Sequence, residues 1–183
     1  MRAIKLLLVL HITVISLYAD LYDKFSINLR NKDYPNACKV GKKIFFKGEK
    51  DEKLLSIIGQ VCLKADYIYI TALIQSRLRT TEDARTNAVV FSSILLQKRL
   101  IYQFMYDDVD ISSLSLPVSE HPLSHTFTAI RDKNYTLVSK YPKIIEFRKN
   151  HNLYKVSIDY TKRGKIIIEI SDIENKKTIH RYL

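Results

Sequence analysis

The 183-residue sequence has few of the residues and motifs that mark linkers, cofactor sites or catalytic centres. It contains only four glycines and four prolines, whereas aliphatic residues are plentiful. That composition is typical of a packed globular protein and not of a disordered tail. No glycine-rich phosphate loop occurs, and no serine lies in a nucleophile-elbow context. The sequence therefore predicts a protein that is not an enzyme and needs no cofactor.

The first nineteen residues have the layout of a secretory signal peptide. A basic stretch at residues 1–5 is followed by an apolar run at residues 6–17 and by Ala19 before the polar Asp20. We expect cleavage after Ala19 and a periplasmic or secreted location. The alternative is an uncleaved anchor, but the apolar run is shorter than the about 20 residues that a membrane-crossing helix needs. Cleavage would remove two cations and no acid, so the formal net charge would fall from +11 to +9.

The only two cysteines, Cys38 and Cys62, indicate a disulfide between two antiparallel helices. Asp33 or Tyr34 can cap a helix that has Pro35 in its first turn, Gly48 is a natural stop, and Asp51 is a natural N-cap for the next helix. Helices joined around position 50 place residues level with one another when their numbers sum to about 100, as those of the cysteines do. The alternative is a pair of buried thiols in a cytosolic protein. The even count and the signal peptide favour the disulfide, and the absence of a CxxC pair makes it structural.

The same symmetry predicts a seam between the two helices. It pairs Gly41 with Gly59 and Phe45 with Leu55, on one face of each helix. Packed helix axes usually lie about 8–10 Å apart, whereas a disulfide favours Cα atoms about 5.5–6 Å apart. Two opposed glycines one turn from the cysteines would let the backbones approach that closely.

Three further segments of the first half are predicted to be helices, at residues 21–31, 67–79 and 84–105. The segment 67–79 begins with a strand-like alternation, but its position between helical segments favours a helix. A capping sequence at residues 80–83 introduces the last one. Five helices with short connections resemble, in architecture, the stacked helical hairpins of tetratricopeptide or Sel1 proteins, although neither consensus sequence is present.

The spacing of apolar residues changes from helical to alternating in the second half. We therefore predict an α+β protein with a helical hairpin domain at residues 20–110, a connection at 111–124 and an antiparallel β region at 125–183. The strands of a C-terminal meander are predicted at residues 144–147, 154–160, 166–170 and 178–183, with 125–130 and 136–139 as additions to it.

The turn between the two central strands determines their register. A three-residue loop ending at Gly164 would pair Ile158 with Ile168 and Tyr160 with Ile166, which keeps apolar side chains on one face. Such a loop requires Gly164 in the left-handed conformation.

Two patterns that could bind metal ions are incomplete. His121 and His125 are four residues apart, a spacing that suits zinc on a helix. Pro122 lies between the two histidines and disfavours a helix that begins before them, and no third ligand is evident. An acidic stretch at residues 107–110 lacks the glycine and terminal glutamate of a calcium loop. No metal site is predicted.

Cations mixed with apolar residues are candidates for contact with a polyanion. For a cytosolic protein this would suggest nucleic acid, but for an exported protein the expected polyanions are phospholipid, lipopolysaccharide, cell-wall polymer or an acidic protein face. The alternative is dispersed, solubilising charge, because no block exceeds three consecutive cations. The candidate residues are Lys42, Lys43, Lys47, Lys162, Arg163 and Lys165.

Asn134 lies in an N-x-T acceptor sequence that has Asp132 two residues before the asparagine. This acid-extended form resembles the sequon of bacterial periplasmic oligosaccharyltransferases. It predicts an exposed glycosylation site at a turn.

Two functions remain open on the sequence alone. The preferred one is an exported accessory or scaffold protein that binds another envelope protein, within an envelope-spanning machine such as a flagellar motor. The other is a basic module that binds an anionic component of the membrane or wall. Neither involves nucleic acid, and the oligomeric state is not predicted.

Overall fold

A computed structural model describes residues 20–161 and 164–182, so the predicted signal peptide, Lys162 and Arg163 lie outside the described residues. Six helices are followed by a five-stranded antiparallel sheet, which confirms the α+β class and the C-terminal meander. The helices are α1 (20–30), α2 (Tyr34–Phe46), α3 (Glu52–Lys64), α4 (Ile68–Gln75), α5 (Glu82–Asp107) and α6 (Pro122–Arg131). The strands are β1 (Thr136–Lys140), β2 (Lys143–Lys149), β3 (Asn152–Asp159), β4 (Lys165–Ser171) and β5 (Lys177–Tyr182).

The chain divides into two compact units after Ala84. The first unit contains α1 to α4. The second contains almost all of α5, together with α6 and the sheet. In the part of the chain that the structure describes, no helix combines the length and the apolar character needed to cross a membrane.

The helices of the first unit begin and end where local chemistry favours it. The Asp33 carboxylate accepts a hydrogen bond from the Asn36 amide (3.2 Å) at the start of α2, and Asp51 accepts one from the Lys53 amide (2.9 Å) at the start of α3. Between them, Gly48 has a φ of 96°, a conformation that costs glycine little. These are the predicted caps and stop. The core of the unit includes Phe25, Ala37, Ile44, Leu55, Ile58, Val61, Ile70 and Ile74.

Glu52, in the first turn of α3, holds the turn that precedes α5. Its carboxylate accepts hydrogen bonds from the amides of Arg79 (2.8 Å), Thr80 (3.0 Å) and Thr81 (3.3 Å), and from the Thr80 hydroxyl (2.8 Å). The Thr81 hydroxyl in turn caps α5 by accepting from the Ala84 amide (3.1 Å). Desolvation raises the pKa of Glu52, but these hydrogen bonds outweigh it and lower the pKa from 4.5 to about 2.

We expect this carboxylate to make the folded protein acid-sensitive. Its pKa is lower in the folded than in the unfolded chain, so its contribution to stability is present above about pH 4.5 and is lost as the pH falls towards 2. The variant Glu52→Gln should therefore lose less free energy of unfolding than the native protein between pH 4.5 and 2. Urea unfolding at a series of pH values measures the difference. Parallel stability curves for the two proteins would contradict the expectation.

The second unit buries one face of its sheet. The strands follow one another in the order β1-β2-β3-β4-β5, and the alternating side chains Ile145, Phe147, Tyr154, Val156, Ile158, Ile166 and Ile168 are buried. Both α5 and α6 contact this sheet. The Lys143 ammonium donates to the carbonyl of Phe104 in α5 (2.8 Å), and the His125 ring of α6 is hydrogen-bonded to the Tyr154 hydroxyl (3.0 Å).

The predicted connection is ordered by a buried amide. Gln97 in α5 donates from Nε2 to the Pro117 carbonyl (2.8 Å), and its Oε1 accepts from the Ser124 hydroxyl (2.6 Å). Ile111 is also buried. The connection lacks helix and strand as predicted, but it ends at His121, three residues earlier than expected.

The prediction of a strand at residues 125–130 is wrong, because these residues belong to α6. His121 is the N-cap of this helix: its Nδ1 accepts from the Leu123 amide (3.2 Å), and Pro122 occupies the first helical position. The buried residues then recur with helical spacing, so the β region begins only at Thr136.

The predicted register between β3 and β4 is also wrong, by two residues. Ile158 pairs with Ile166, and Val156 pairs with Ile168. β3 ends at Asp159, whose carboxylate accepts from the amide (3.0 Å) and hydroxyl (2.6 Å) of Thr161 and so turns the chain. The loop is therefore longer than three residues, although Gly164 has the predicted left-handed conformation, with a φ of 67°.

Candidate functional site

The predicted disulfide between Cys38 and Cys62 is present. Its Cα atoms lie 4.8 Å apart, and both cysteines are buried between α2 and α3. Because each Cα atom lies about 2.3 Å from its own helix axis, two facing Cα atoms at this separation are compatible with the usual distance between packed helix axes, about 8–10 Å.

The predicted seam residues lie in or beside the core of the first unit. Gly41 and Gly59 are both buried. A Cβ atom on Gly41 would lie 2.9 Å from Ile58 Cγ2 and 3.1 Å from the Phe25 ring, so no side chain fits there. Of the other two seam residues, Leu55 is buried and Phe45 is half-buried.

An aromatic and basic surface lies where side chains of α2 and α4 meet, and we call it the α2–α4 surface. Four of its large apolar side chains are substantially exposed: Phe46 (60%), Tyr67 (45%), Tyr69 (51%) and Leu73 (42%). Its cations are Lys39 and Lys42 near the tyrosines, and Lys50 and Arg77 near Phe46 and Leu73. Two clefts lie along it, one of about 360 Å³ next to Tyr67 and Tyr69 and one of about 420 Å³ next to Phe46 and Leu73.

Lys42 and Tyr69 join the two helices at the middle of this surface. The Lys42 ammonium donates a hydrogen bond to the Tyr69 hydroxyl (2.9 Å) and lies 5.2 Å from the centre of its ring. Tyr67 meets Tyr69 edge to face, with ring centroids 6.4 Å apart. These contacts hold the exposed rings in fixed positions.

The composition of α4 explains why apolar side chains remain exposed. Ile68, Ile70 and Ile74 are buried against the first unit, but Tyr69 and Leu73 occupy the outer face. A helix that is apolar all round is normally covered on every side. The outer face of α4 thus has the composition of a contact surface.

The charge of the surface is positive. Its one acid, Glu49, accepts hydrogen bonds from the Tyr22 hydroxyl (2.5 Å) and from the amides of Lys50 (2.7 Å) and Asp51 (2.8 Å). Burial raises the pKa of Glu49, but these hydrogen bonds lower it by more. The carboxylate therefore stays ionised and hydrogen-bonded to the protein. The cations of the surface therefore determine how it attracts a partner.

The structure brings together only some of the cations that the sequence singles out. Lys42 lies on the α2–α4 surface, whereas Lys43 and Lys47 are exposed elsewhere on α2 and at its end. Lys165 begins β4 in the second unit, opposite Asp159. The cluster thus contains one of the predicted residues, together with Lys39, Lys50 and Arg77, which the sequence did not indicate.

His125 of the second unit lies in a chain of hydrogen bonds between Glu120 and Tyr154. His125 is hydrogen-bonded through Nε2 to Glu120 (3.2 Å) and through Nδ1 to Tyr154 (3.0 Å). The order carboxylate, imidazole, hydroxyl is that of a nucleophilic triad. Burial, followed by the Glu120 charge, raises the pKa of Tyr154, and its ring stacks on Phe147 at 4.7 Å inside the core. The hydroxyl is therefore neutral, and Tyr154 is buried (5% exposed).

The acidic stretch at residues 107–110 is used for structure. Asp108 forms an ion pair with Lys143, which lies over the Phe104 ring, and Asp110 accepts from the Ser112 amide (2.8 Å). Among the described residues, no group of three histidine, cysteine, aspartate or glutamate side chains is arranged to hold a metal ion.

Asn134 is exposed in the short loop between α6 and β1. The backbone amide of Asn134 donates to the Ala129 carbonyl (2.8 Å) at the end of the helix. The Asp132 carboxylate is paired with the Arg131 guanidinium (2.7 Å). Glycosylation of this asparagine remains a prediction.

Comparison with known proteins gives no family: no family model, curated protein or solved structure matches this chain. The site therefore has to be interpreted from its own residues. Tyr69, Leu73 and Arg77 are spaced four residues apart in the sequence. Only the fold shows that Tyr69 and Leu73 lie on the uncovered face of α4, and Arg77 follows the end of that helix.

Proposed function

We propose that this chain is an exported, non-enzymatic accessory or scaffold protein that binds another envelope protein through the α2–α4 surface. The observation that carries the proposal is the exposed apolar face of α4 beside the cations of α2. Aromatic residues and arginine are the side chains that most often dominate the energy of protein interfaces. The hairpins of the first unit would then act as a rigid support for the partner.

Export is supported by the disulfide. Disulfides form and persist in oxidising compartments such as the periplasm and are rare in the cytosol. The cross-link agrees with the signal peptide that residues 1–19 predict. In this proposal the mature protein begins at Asp20 and works within an envelope assembly.

The partner that fits this surface is an acidic protein segment with apolar side chains. Acidic groups would meet the cations of the surface, and apolar groups would cover Tyr69 and Leu73. Charge complementarity speeds association and sets specificity, whereas burial of the aromatic and aliphatic side chains supplies most of the affinity.

Site-specific crosslinking in the native host tests the proposal. A photoreactive phenylalanine derivative replaces Leu73 in the full chain, and the matched control carries it at Ile173, which is exposed (80%) in the β4–β5 turn. We expect one discrete crosslinked envelope protein from position 73 and none from position 173. The intact mass of the same purified chain shows whether residues 1–19 have been removed.

Two measurements show whether the crosslink reports specific binding. The substitution Tyr69→Ala should weaken the affinity for the identified partner about tenfold or more, and salt should weaken it further by screening the cations. The substitution Ile173→Ala should leave it unchanged. Equal crosslinking at positions 73 and 173, or an affinity that does not respond to Tyr69→Ala, would refute the assignment of this surface.

A further inference from the structure

A cleft in the second unit is basic, as is the cleft of about 360 Å³ on the α2–α4 surface, whose lining among the described residues contains two lysines and no acid. The second-unit cleft lies between α5 and the end of the sheet, has a volume of about 480 Å³, and we call it the α5 cleft. Two cations, Lys98 and Arg99, line it, and no acid occurs among the described residues of its lining. By contrast, the cleft beside His125 combines Glu120 and Asp132 with its cations.

The walls of the α5 cleft are apolar. Leu96 and Leu100 come from α5, and Ile166 comes from β4. Ile166 is buried, whereas Leu96 is substantially exposed (44%). Concave sites with apolar walls and a few converging polar groups are the usual form of small-molecule sites.

The rim of the cleft is formed by a close contact between Gly164 and Tyr102. A Cβ atom on Gly164 would overlap the Tyr102 ring, and Gly164 also has a φ of 67°. Tyr102 stacks on Tyr106, with ring centroids 5.4 Å apart. Glycine thus allows the backbone at residue 164 to lie directly against the Tyr102 ring.

We propose that the α5 cleft binds an anionic amphiphile, with its phosphate or carboxylate head group at Lys98 and Arg99 and its hydrocarbon chain against Leu96, Leu100 and Ile166. This site is independent of the α2–α4 surface. It assigns the second unit to an anionic lipid-like ligand, whereas the first unit binds protein.

The electrostatics of Lys98 support this assignment. Burial, and after it the adjacent Arg99 guanidinium, lower the pKa of Lys98 from its usual value of 10.5. An anionic head group beside both cations would favour their charged forms. The chain of the ligand would in turn cover apolar surface that α5 leaves in water.

Calorimetric titration of the full chain with decyl phosphate, kept below its micelle concentration, tests the proposal. The Gly164 amide resonance reports whether binding occurs at the cleft. Two further probes separate the contributions: inorganic phosphate has the head group alone, and decyltrimethylammonium has the chain with the opposite charge. We expect decyl phosphate to bind and to shift the Gly164 resonance, and both other probes to bind about tenfold more weakly or worse.

The variant Lys98→Gln with Arg99→Gln should weaken decyl phosphate binding about tenfold or more, by removing both charged contacts. The matched control is Lys155→Gln with Lys177→Gln, which removes the same charge from lysines paired with Glu146 and Glu169 and should leave binding unchanged. If the double variant does not fold, the single change Arg99→Gln, at an exposed residue, replaces it in the decyl phosphate titration.

Three results would overturn the proposal. Equal binding of inorganic phosphate would mean that the hydrocarbon chain is not recognised. Equal binding of decyltrimethylammonium would mean that the cations are not used. Equal losses in the cleft variant and the control variant would mean that binding depends on net charge and not on this cleft.

Discussion

Replacement of both Cys38 and Cys62 by alanine is expected to lower the free energy of unfolding by about 3.5 kcal/mol. The cross-link joins residues separated by 24 positions and so removes conformational entropy from the unfolded chain. A loss of this size changes the unfolding equilibrium constant roughly 300-fold. In a protein of ordinary stability, about 5–15 kcal/mol, it is a large fraction of the total.

The measurement is urea unfolding of three forms of the protein. The oxidised native chain should be the most stable. The reduced native chain keeps both sulfur atoms and therefore isolates the effect of the cross-link from that of the smaller alanine side chains. We expect reduction to destabilise the native chain and to leave the alanine variant unchanged. Coincident curves for the oxidised and reduced native chain, or alkylation of both sulfurs without reduction, would show that the bridge does not act as described.

The disulfide also affects the proposed interface. Cys38 lines the same cleft as Lys39, Lys42, Tyr67 and Tyr69. The bridge fixes α2 against α3 at the level where α2 meets the aromatic residues of α4. Preorganised surfaces bind more tightly because less conformational freedom is lost on association.

The helical hairpin could be predicted from the sequence because its determinants are local. Asp33, Gly48 and Asp51 set the helix ends by contacts within a few residues of each other. Once the ends are known, the helical period places Cys38 opposite Cys62. At Gly41 the side chains of Ile58 and Phe25 occupy the space that a Cβ atom would need.

The register of β3 and β4 could not be predicted in the same way. A shift of two residues leaves every side chain on its original face, so the alternation of apolar residues does not distinguish the two pairings. The choice is made by Asp159, whose hydrogen bonds to Thr161 end β3 early. Tyr160 consequently leaves the strand and lies near Tyr106, with ring centroids 5.7 Å apart.

The two candidate sites depend on contacts between distant parts of the chain. Lys42 and Tyr69 are 27 residues apart, and the α5 cleft needs Gly164 next to Tyr102. The sequence marks each of these residues only as a cation, an aromatic or a turn glycine. Which of them face solvent together follows from the packing of α4 and α5, and periodicity alone does not supply it.

The substitution Phe127→Ala is expected to lower the free energy of unfolding by about 3–5 kcal/mol. Phe127 is fully buried in the core of the second unit, on the face of α6 that also carries Leu123 and Ile130. Alanine would remove the ring from a close-packed site and leave a cavity there. Urea unfolding checks the loss, and a change within about 1 kcal/mol of the native value would contradict this packing.

Substitutions of two threonines in α6 distinguish this helix from the strand that the sequence predicted for the same residues. A strand would place Thr126 and Thr128 on the same face, so replacing either by alanine would have a similar effect. In the helix, Thr126 is fully buried and donates to the Pro122 carbonyl (2.9 Å), whereas Thr128 is half-buried. Thr126→Ala should therefore cost about 1–2 kcal/mol and Thr128→Ala about 0.5 kcal/mol or less. Equal losses would favour the strand, and the cleft beside His125 would then have a different wall.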